Sequence, residues 1–144
     1  MRRQIKERNI LFLDEDNGYL SQMAEAAAKQ LNPPKVRIFS AGNKPSTIPQ
    51  PIQNAMQELG IKTEGQQPKS IDQIPLQDID LVVSFTDADK HANLPKRAKI
   101  ERWAMSLTAQ SQASDSPLSE LRRNRDEIDK RVWALFMDYW RNVV

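Results

Sequence analysis

The chain lacks cysteine altogether, and this absence excludes a whole group of functions. Without a thiol there is no disulfide, no thiolate metal site and no thiol nucleophile. Histidine is nearly absent as well, because His91 is the only one among 144 residues, which argues against a histidine-based triad or a zinc centre. His91 lies in a polar stretch, and the sequence alone assigns it no chemistry.

Long apolar runs and a strong charge imbalance are also missing. No segment approaches the roughly 18 apolar residues that a membrane span needs, and the basic start MRRQIKERN precedes only the short run Ile10–Leu13. The net charge of +2 is too small to indicate a nucleic-acid partner. We therefore expect a cytoplasmic protein that binds neither membrane nor nucleic acid.

What the chain does contain is a series of short apolar segments that alternate between strand and helix spacing. Asn9–Leu13 predicts a buried strand, Ser21 is placed to cap the following helix, Gly60 ends a second helix and Pro117 begins a third. Further strands are predicted in KVRIFSAG and DIDLVVSF, with a weaker one in AKIERWA. The inward-facing helix positions are Met23, Ala24, Ala27, Leu31, Ile52, Ala55, Met56, Leu59, Leu118, Leu121, Ile128, Val132, Leu135, Phe136 and Tyr139. This alternation predicts a single α/β domain over residues 1–144, with a parallel sheet covered on both faces.

The segment Asp14–Ser21, called the acidic loop below, joins the first strand to the first helix. Such a loop lies at the carboxyl ends of parallel strands, where a helix N-terminus often holds a phosphate. Here, however, Asp14, Glu15 and Asp16 stand in it. One carboxylate about 4 Å from a negative charge costs roughly 4 kcal/mol, whereas each N–H group contributes only about 1 kcal/mol in return. This balance predicts that the loop does not bind phosphate or arsenate.

The order of motifs resembles the low-molecular-weight protein tyrosine phosphatase family, and in particular its thioredoxin-coupled arsenate reductase branch. The first matching stretch is ILFL, followed by Asn17 and by SQMAEA. The later ones are FSAG, AMQELGI, SIDQI, DLVVSFTDADKHANLP, RW and RRNRDEIDKRV. They run from Ile10 to about Trp133, which is nearly the whole chain. The resemblance implies a three-layer α/β/α fold with a four-stranded parallel sheet.

The chain departs from the family's pattern where the catalytic groups stand. The family's signature is Cys-x5-Arg-Ser, and here its cysteine position is Asp14 and its arginine position is Leu20. The family's general acid comes from a later loop, where this chain has Leu107. The relay cysteines of the reductase branch align with Thr86 and Asn93. In the family, residues at the positions of Asn17 and Ser21 shape the loop and hydrogen-bond within it.

These departures predict a catalytically inactive relative that acts as a protein-binding or regulatory module. The expected partner is a protein that presents a cationic group. The sequence identifies neither this partner nor the oligomeric state. No cofactor or metal is expected. The candidate contact surface is the acidic loop with the segment 106–116, and Tyr19, if exposed, would plug the old cleft or anchor the partner. The binding candidates are Asp14, Glu15, Asp16, Asn17, Gly18, Tyr19, Leu20 and Ser21.

Two alternatives stay open. FLDEDNGYL also resembles the Asp-x-Asp element of haloacid-dehalogenase-type phosphatases, in which Asp14 would be the nucleophile, Asp16 the acid/base and Mg²⁺ the charge clamp. Ser84 stands where that family has a Ser or Thr, but a second carboxylate group to complete the metal site is limited to Asp87 and Asp89. The other alternative is an acidic receiver-like signalling domain, although DLVVSF ends without the phosphoacceptor aspartate that a receiver needs.

Overall fold

Four short strands form one parallel sheet in the order β2-β1-β3-β4. The computed structural model describes residues 7–63, 65–105 and 117–143, and of residues 117 and 139–143 only the helical backbone is described. The strands are β1 (Arg8–Asp14), β2 (Val36–Gly42), β3 (Leu81–Ser84) and β4 (Lys99–Arg102). All three strand pairings are parallel, so the carboxyl ends of the strands meet at one edge of the sheet.

The central strand β1 is buried on both faces because its apolar residues run without interruption. Ile10 and Phe12 belong to a core with the α-helices, whereas Leu11 and Leu13 belong to a second core on the other face. All four are at most 4% exposed. A strand with this composition fits only the middle of a sheet that is covered on both sides.

One face of the sheet is covered by three α-helices, α1 (Leu20–Leu31), α2 (Gln50–Gln57) and α3 (Pro117–Val143). The other face is covered by the connection that precedes β3 and by short 3₁₀ helices, of which Ala88–His91 is one. The three-layer α/β/α fold with a four-stranded parallel sheet is thereby confirmed. None of the helices in the described ranges is long and apolar enough to cross a membrane.

The start of α1 differs from the prediction. Ser21 does not cap the helix, since the helix begins at Leu20 and the residue before it, Tyr19, makes no side-chain cap. The free N–H group of Ser21 is instead bound by the Asp14 carboxylate at 2.9 Å. A carboxylate at a helix N-terminus is favourable in this position, so β1 itself supplies the cap.

The other predicted boundaries are close to those observed. α1 ends at Leu31 before Asn32, which has a φ of 47°, and α3 begins at Pro117. The second helix is shorter than predicted, because it stops at Gln57 and leaves Leu59 outside it and 44% exposed. Leu118 is also more exposed than predicted, at 39%.

Some predictions concern parts of the chain outside the described residues. These are the general-acid position Leu107, the contact segment 106–116 and the side chain of Tyr139. That residues 1–144 form one domain stays a prediction.

Candidate active site

The acidic loop leaves the sheet at the point where the strand order reverses. β1 lies between β2 and β3, so the chain crosses to opposite sides of β1 in its successive connections. In open α/β sheets, ligands bind outside the carboxyl ends of the strands at this point. Asp14 is the last residue of β1, and the first turn of α1 follows the loop directly.

Asp14 is buried within the loop and is bound by main-chain donors. Its carboxylate oxygens accept the N–H group of Asn17 at 2.6 Å and that of Ser21 at 2.9 Å, and the residue is 4% exposed. Burial raises the pKa of the Asp14 carboxyl from 3.8 to about 6, and the charge of Asp16 adds to the rise. The hydrogen bonds from Ser21 and Asn17 oppose the rise without cancelling it. The site therefore holds a carboxyl group that titrates near pH 6.

The two other carboxylates of the loop have polar partners too. Glu15 accepts a hydrogen bond from the Asn43 side chain at 3.1 Å and lies 3.4 Å from the His91 ring, and these contacts lower its pKa. Asp16 is exposed and accepts the N–H group of Gly18 at 3.0 Å. The Asn43 amide favours the ionised form of Glu15 and does not remove its charge, so the expectation that the loop repels an anion stays a prediction.

Asn17 fixes the shape of the loop from its buried centre. It has a φ of 51°, a left-handed conformation that asparagine tolerates better than most residues, and its side chain is fully buried. Its amide donates to the Ser21 hydroxyl at 2.8 Å, and its oxygen accepts from Gln22 at 2.8 Å and from the N–H of Lys69 at 2.7 Å. One side chain therefore ties the loop to α1 and to the segment beyond α2.

Close main-chain approach around the loop requires glycine at two positions. A Cβ on Gly42, at the end of β2, would lie 2.6 Å from the main-chain N of Asn17 and 2.9 Å from the carbonyl oxygen of Glu15. A Cβ on Gly18 would lie 2.8 Å from the carbonyl oxygen of Thr47. The loop therefore packs directly against the backbone that follows β2.

Two of the predicted binding residues, Tyr19 and Leu20, pack against the helix-side core. Leu20 is 3% exposed and belongs to the helix-side core. Tyr19 is half-buried against the same core, and its hydroxyl accepts a hydrogen bond from Asn124 of α3 at 2.8 Å. Leu20, the first residue of α1, is therefore buried away from any ligand, whereas Tyr19 is only partly buried and its role as a plug or an anchor stays a prediction.

His91 is a neighbour of the loop that sequence reasoning missed. It was predicted to lie exposed without a role, and it is exposed, but its ring contacts Glu15 across the carboxyl ends of two strands. The contact joins residues 76 positions apart, so no local spacing signals it. The only available signal was that both residues follow strands whose ends meet at one edge.

The Mg²⁺-dependent alternative finds no ligand set in the described ranges. No group of three histidine or acidic side chains there is placed to hold a metal ion. Asp14 accepts the N–H groups of Asn17 and Ser21, and Asp16 accepts that of Gly18. The two carboxylates of the Asp-x-Asp pattern thus engage separate main-chain donors.

A cavity of about 730 Å³ lies elsewhere, between β4 and α3. Its walls include Lys99, Glu101, Trp103, Arg131 and Phe136, and no residue of the acidic loop lines it. Both signs of charge are mixed along these walls, which gives the cavity no evident selectivity. The loop, with its convergent donors and its perturbed carboxyl, is the better candidate site.

Comparison with known proteins decides the family. The sequence profile described as low molecular weight phosphotyrosine protein phosphatase matches residues 9–138. The chain belongs to this family. The resemblance inferred from the motif order is confirmed.

Relatives in the phosphatase family agree over nearly their full lengths. The chain is 33% identical over 131 residues to an arsenate reductase of Bacillus subtilis, covering 89% of this chain and 94% of that protein. It is 33% identical over 128 residues to arsenate reductase 2 of Staphylococcus epidermidis, with 88% and 94% covered. An arsenate reductase solved in the phosphate binding state superimposes with a TM-score of 0.71 at 27% identity, covering 91% of this chain and 98% of the other. An arginine phosphatase of Geobacillus stearothermophilus shares the fold, with a TM-score of 0.77 at 19% identity and 94% of each chain covered.

The prediction of a catalytically inactive binding or regulatory module is contradicted by these comparisons. The relatives are named as arsenate reductases, and a structural neighbour is named as an arginine phosphatase. These names indicate an active enzyme in place of a pseudophosphatase, and they are equally at odds with a receiver-like signalling domain. The prediction had rested on Asp14, Leu20 and Leu107 standing where the family has its cysteine, arginine and general acid.

Proposed function

We propose that this chain is an enzyme that hydrolyses a phosphate monoester at the acidic loop, with Asp14 as the group that attacks phosphorus. The observation that carries the proposal is the place of the Asp14 carboxylate. It lies at the end of the central strand, is buried, and accepts N–H groups from Asn17 and Ser21 at the start of α1. A carboxylate held in this way is a preorganised nucleophile beside a helix N-terminus.

Hydrolysis suits this chain better than the reduction for which its relatives are named. Reduction of arsenate to arsenite consumes two electrons, and thiols are the side chains that commonly supply them. The sequence contains no cysteine. Hydrolysis of a phosphate ester needs no electrons, and the family's own description as a phosphatase supports that reaction.

The reaction has two steps that balance. An Asp14 oxygen forms a bond to phosphorus while the ester bond from phosphorus to the leaving oxygen breaks, and the leaving oxygen takes the electron pair and a proton. Water then attacks the phosphorus of the aspartyl phosphate, which releases inorganic phosphate and restores the carboxylate. N–H groups at the start of α1 would stabilise the phosphoryl oxygens as charge develops on them.

The acidity of the loop is compatible with this proposal. Glu15 is engaged by Asn43 and His91, Asp16 is exposed to water, and the charge of Asp14 is dispersed over two N–H groups. That a 27% identical arsenate reductase was solved in a phosphate binding state supports oxyanion binding in this branch of the family. The predicted cytoplasmic location agrees with such a substrate and stays a prediction.

Hydrolysis of p-nitrophenyl phosphate by the wild type and by Asp14→Asn tests the proposal. The assay contains EDTA and no thiol, so that neither a contaminating metalloenzyme nor an external reductant contributes. We expect turnover by the wild type, a loss of at least about a hundredfold in Asp14→Asn, and no change in the exposed control Asp72→Asn. Equal activity in wild type and Asp14→Asn would contradict the assignment, and the absence of turnover in the wild type would contradict the function.

A further inference from the structure

His91 lies at the rim of the acidic loop and is open to a bound molecule. It is the last residue of the 3₁₀ helix Ala88–His91, which follows β3 at the carboxyl edge of the sheet. Its Nδ1 atom lies 3.4 Å from Oε2 of Glu15, the residue next to Asp14 in the chain. The imidazole side chain is 65% exposed, so the ring edge that faces away from Glu15 is accessible.

Glu15 is placed to orient this ring. A carboxylate can only accept hydrogen bonds, so the contact requires Nδ1 to carry a hydrogen and directs Nε2 away from it. Asn43 holds the same carboxylate oxygen, Oε2, with its side-chain amide at 3.1 Å, and that amide also donates to the carbonyl of Ala88 at 3.1 Å. Asn43 therefore connects Glu15 to the short helix that carries His91.

That short helix is fixed to the sheet by a buried carboxylate. Asp89, which is 8% exposed, accepts the Ser84 hydroxyl at 2.7 Å, and the Asp89 N–H returns a hydrogen bond to it at 3.0 Å. Arg102 of β4 binds the same carboxylate through Nη2 at 2.6 Å and Nε at 3.1 Å. His91 thus projects from a backbone that is held to β3 and β4 at once, as a preorganised catalytic group requires.

We propose that His91 is the general acid of this enzyme and that Glu15 is its positioning residue. The inference rests on the proposed function, because hydrolysis through Asp14 requires a proton for the leaving oxygen. In this step His91 starts with hydrogens on both ring nitrogens, donates the one on Nε2 as the ester bond breaks, and keeps the one on Nδ1 that faces Glu15. In the second step Nε2 takes a proton from the attacking water, which restores the starting state and leaves the atoms balanced.

The test compares esters with good and poor leaving groups. The ratio kcat/KM reports the step that breaks the ester bond and not the later hydrolysis of the aspartyl phosphate, which both esters share. A general acid matters most when the leaving oxygen is basic, so His91→Gln loses about a hundredfold in kcat/KM on phenyl phosphate and less than about tenfold on p-nitrophenyl phosphate. The exposed control Lys96→Gln changes neither rate. An equal loss on both esters, or no loss on either, would overturn the role of His91 while leaving the proposed function intact. The absence of turnover by the wild type on both esters would overturn the proposed function and this role together.

A double-mutant cycle separates positioning by Glu15 from a merely structural effect. We expect Glu15→Gln to lower kcat/KM on phenyl phosphate in the wild-type background and to have no further effect in His91→Gln. Equal losses in both backgrounds would show that Glu15 does not act through His91.

Discussion

At the scale of single residues, Asp14 combines a structural role with the chemistry proposed for it. Its carboxylate caps α1 by binding the N–H of Ser21 and closes the loop by binding that of Asn17. It does so while buried, and burial raises its pKa to about 6. Ionisation of a buried carboxyl group is unfavourable, so the charged form of Asp14 lowers the free energy of unfolding, whereas an uncharged carboxamide at this position would not.

The pH dependence of stability measures this effect. The Asp14 pKa is 3.8 in the unfolded chain and about 6 in the folded protein, so the folded state holds the proton more tightly. Its contribution to stability is complete below pH 3.8 and is lost as the pH rises through 6, a difference of about 3 kcal/mol. Asn at position 14 does not titrate. We therefore expect the free energy of unfolding of the wild type to fall by about 2 kcal/mol relative to Asp14→Asn between pH 4 and pH 7.

Denaturant unfolding of both proteins at a series of pH values provides this comparison, because all other groups titrate alike in the two. Parallel curves over the range would mean that the Asp14 pKa is the same in the folded and unfolded chains.

Asn17 illustrates how far residue-level prediction reaches. Its family position indicated that it shapes the loop and hydrogen-bonds within it, and the structure contains the bond to Ser21. The bonds to Gln22 and to the N–H of Lys69 lie beyond that prediction, because Lys69 is 52 positions away and no pattern near Asn17 points to it. Local motif reading identifies such a residue but not its distant partners.

At the scale of elements, β1, the acidic loop and α1 act as one unit packed against the end of β2. Gly42 is where the contact is closest, since a Cβ there would meet main-chain atoms of Glu15, Asp16 and Asn17 at 2.6 to 2.9 Å. Backbone atoms cannot turn aside as a flexible side chain can. The loop conformation therefore depends on a residue outside it.

Gly42→Ala is expected to displace the loop. We expect a destabilisation of about 2–3 kcal/mol from the backbone clash, and loss of phosphatase activity because the N–H groups around Asp14 move. Gly65→Ala is the matched control, because a Cβ there meets nothing within 4 Å. We expect it to destabilise the protein by only about 1 kcal/mol, since alanine disfavours the left-handed φ of 81° at this position. Chemical denaturation and the p-nitrophenyl phosphate assay report both effects. Full activity in Gly42→Ala would mean that the loop tolerates the shift.

The packing of α2 against α3 depends on a buried arginine. Arg125 donates to the carbonyl of Ala55 at 2.8 Å and to Glu58 at 2.7 Å, and only 9% of its side chain is exposed. Hydrogen bonds from Arg122 and Arg125 lower the pKa of Glu58 to about 2. The C-terminal end of α2 is thus bound to α3 by charge-assisted hydrogen bonds.

Arg125→Met is expected to lower the free energy of unfolding by about 2 kcal/mol, because it leaves a buried carbonyl without this donor. The exposed control Lys130→Met, on the same helix, is expected to change stability by less than about 0.5 kcal/mol. Thermal or denaturant unfolding distinguishes the two. A similar small effect in both variants would show that water replaces the arginine without loss.

At the scale of the whole molecule, the fold followed from the sequence and the function did not. The parallel sheet, its buried central strand and the helix at Pro117 were predictable because each depends on local apolar periodicity and on motifs in a fixed order. The weak strand AKIERWA was predictable only as a candidate, since β4 forms the edge of the sheet and its residues are largely exposed. Periodicity is least informative where burial is least.

The sequence predicted where the site lies in the chain, but it did not predict which groups surround the site residues. That Asp14 ends the central strand follows from the sequence, but that it binds two N–H groups and that Glu15 contacts His91 depends on how separate strand ends converge. The charge count of the loop could not include the donors that bind Asp14 and Glu15, and its conclusion that the loop repels an anion stays a prediction. Leu20 was likewise judged by the residue it replaces, although its place is in the core.

The measurement that tests Asp14 as the reacting group most directly is the capture of its phosphoryl intermediate. Wild-type protein is quenched in acid during turnover of p-nitrophenyl phosphate, and the peptide that contains the acidic loop is analysed by mass spectrometry with and without hydroxylamine. We predict one added phosphoryl group on Asp14, removed by hydroxylamine and missing in Asp14→Asn. Turnover by the wild type with no phosphoryl group on that peptide, or with the group on another residue, would contradict the assignment of Asp14.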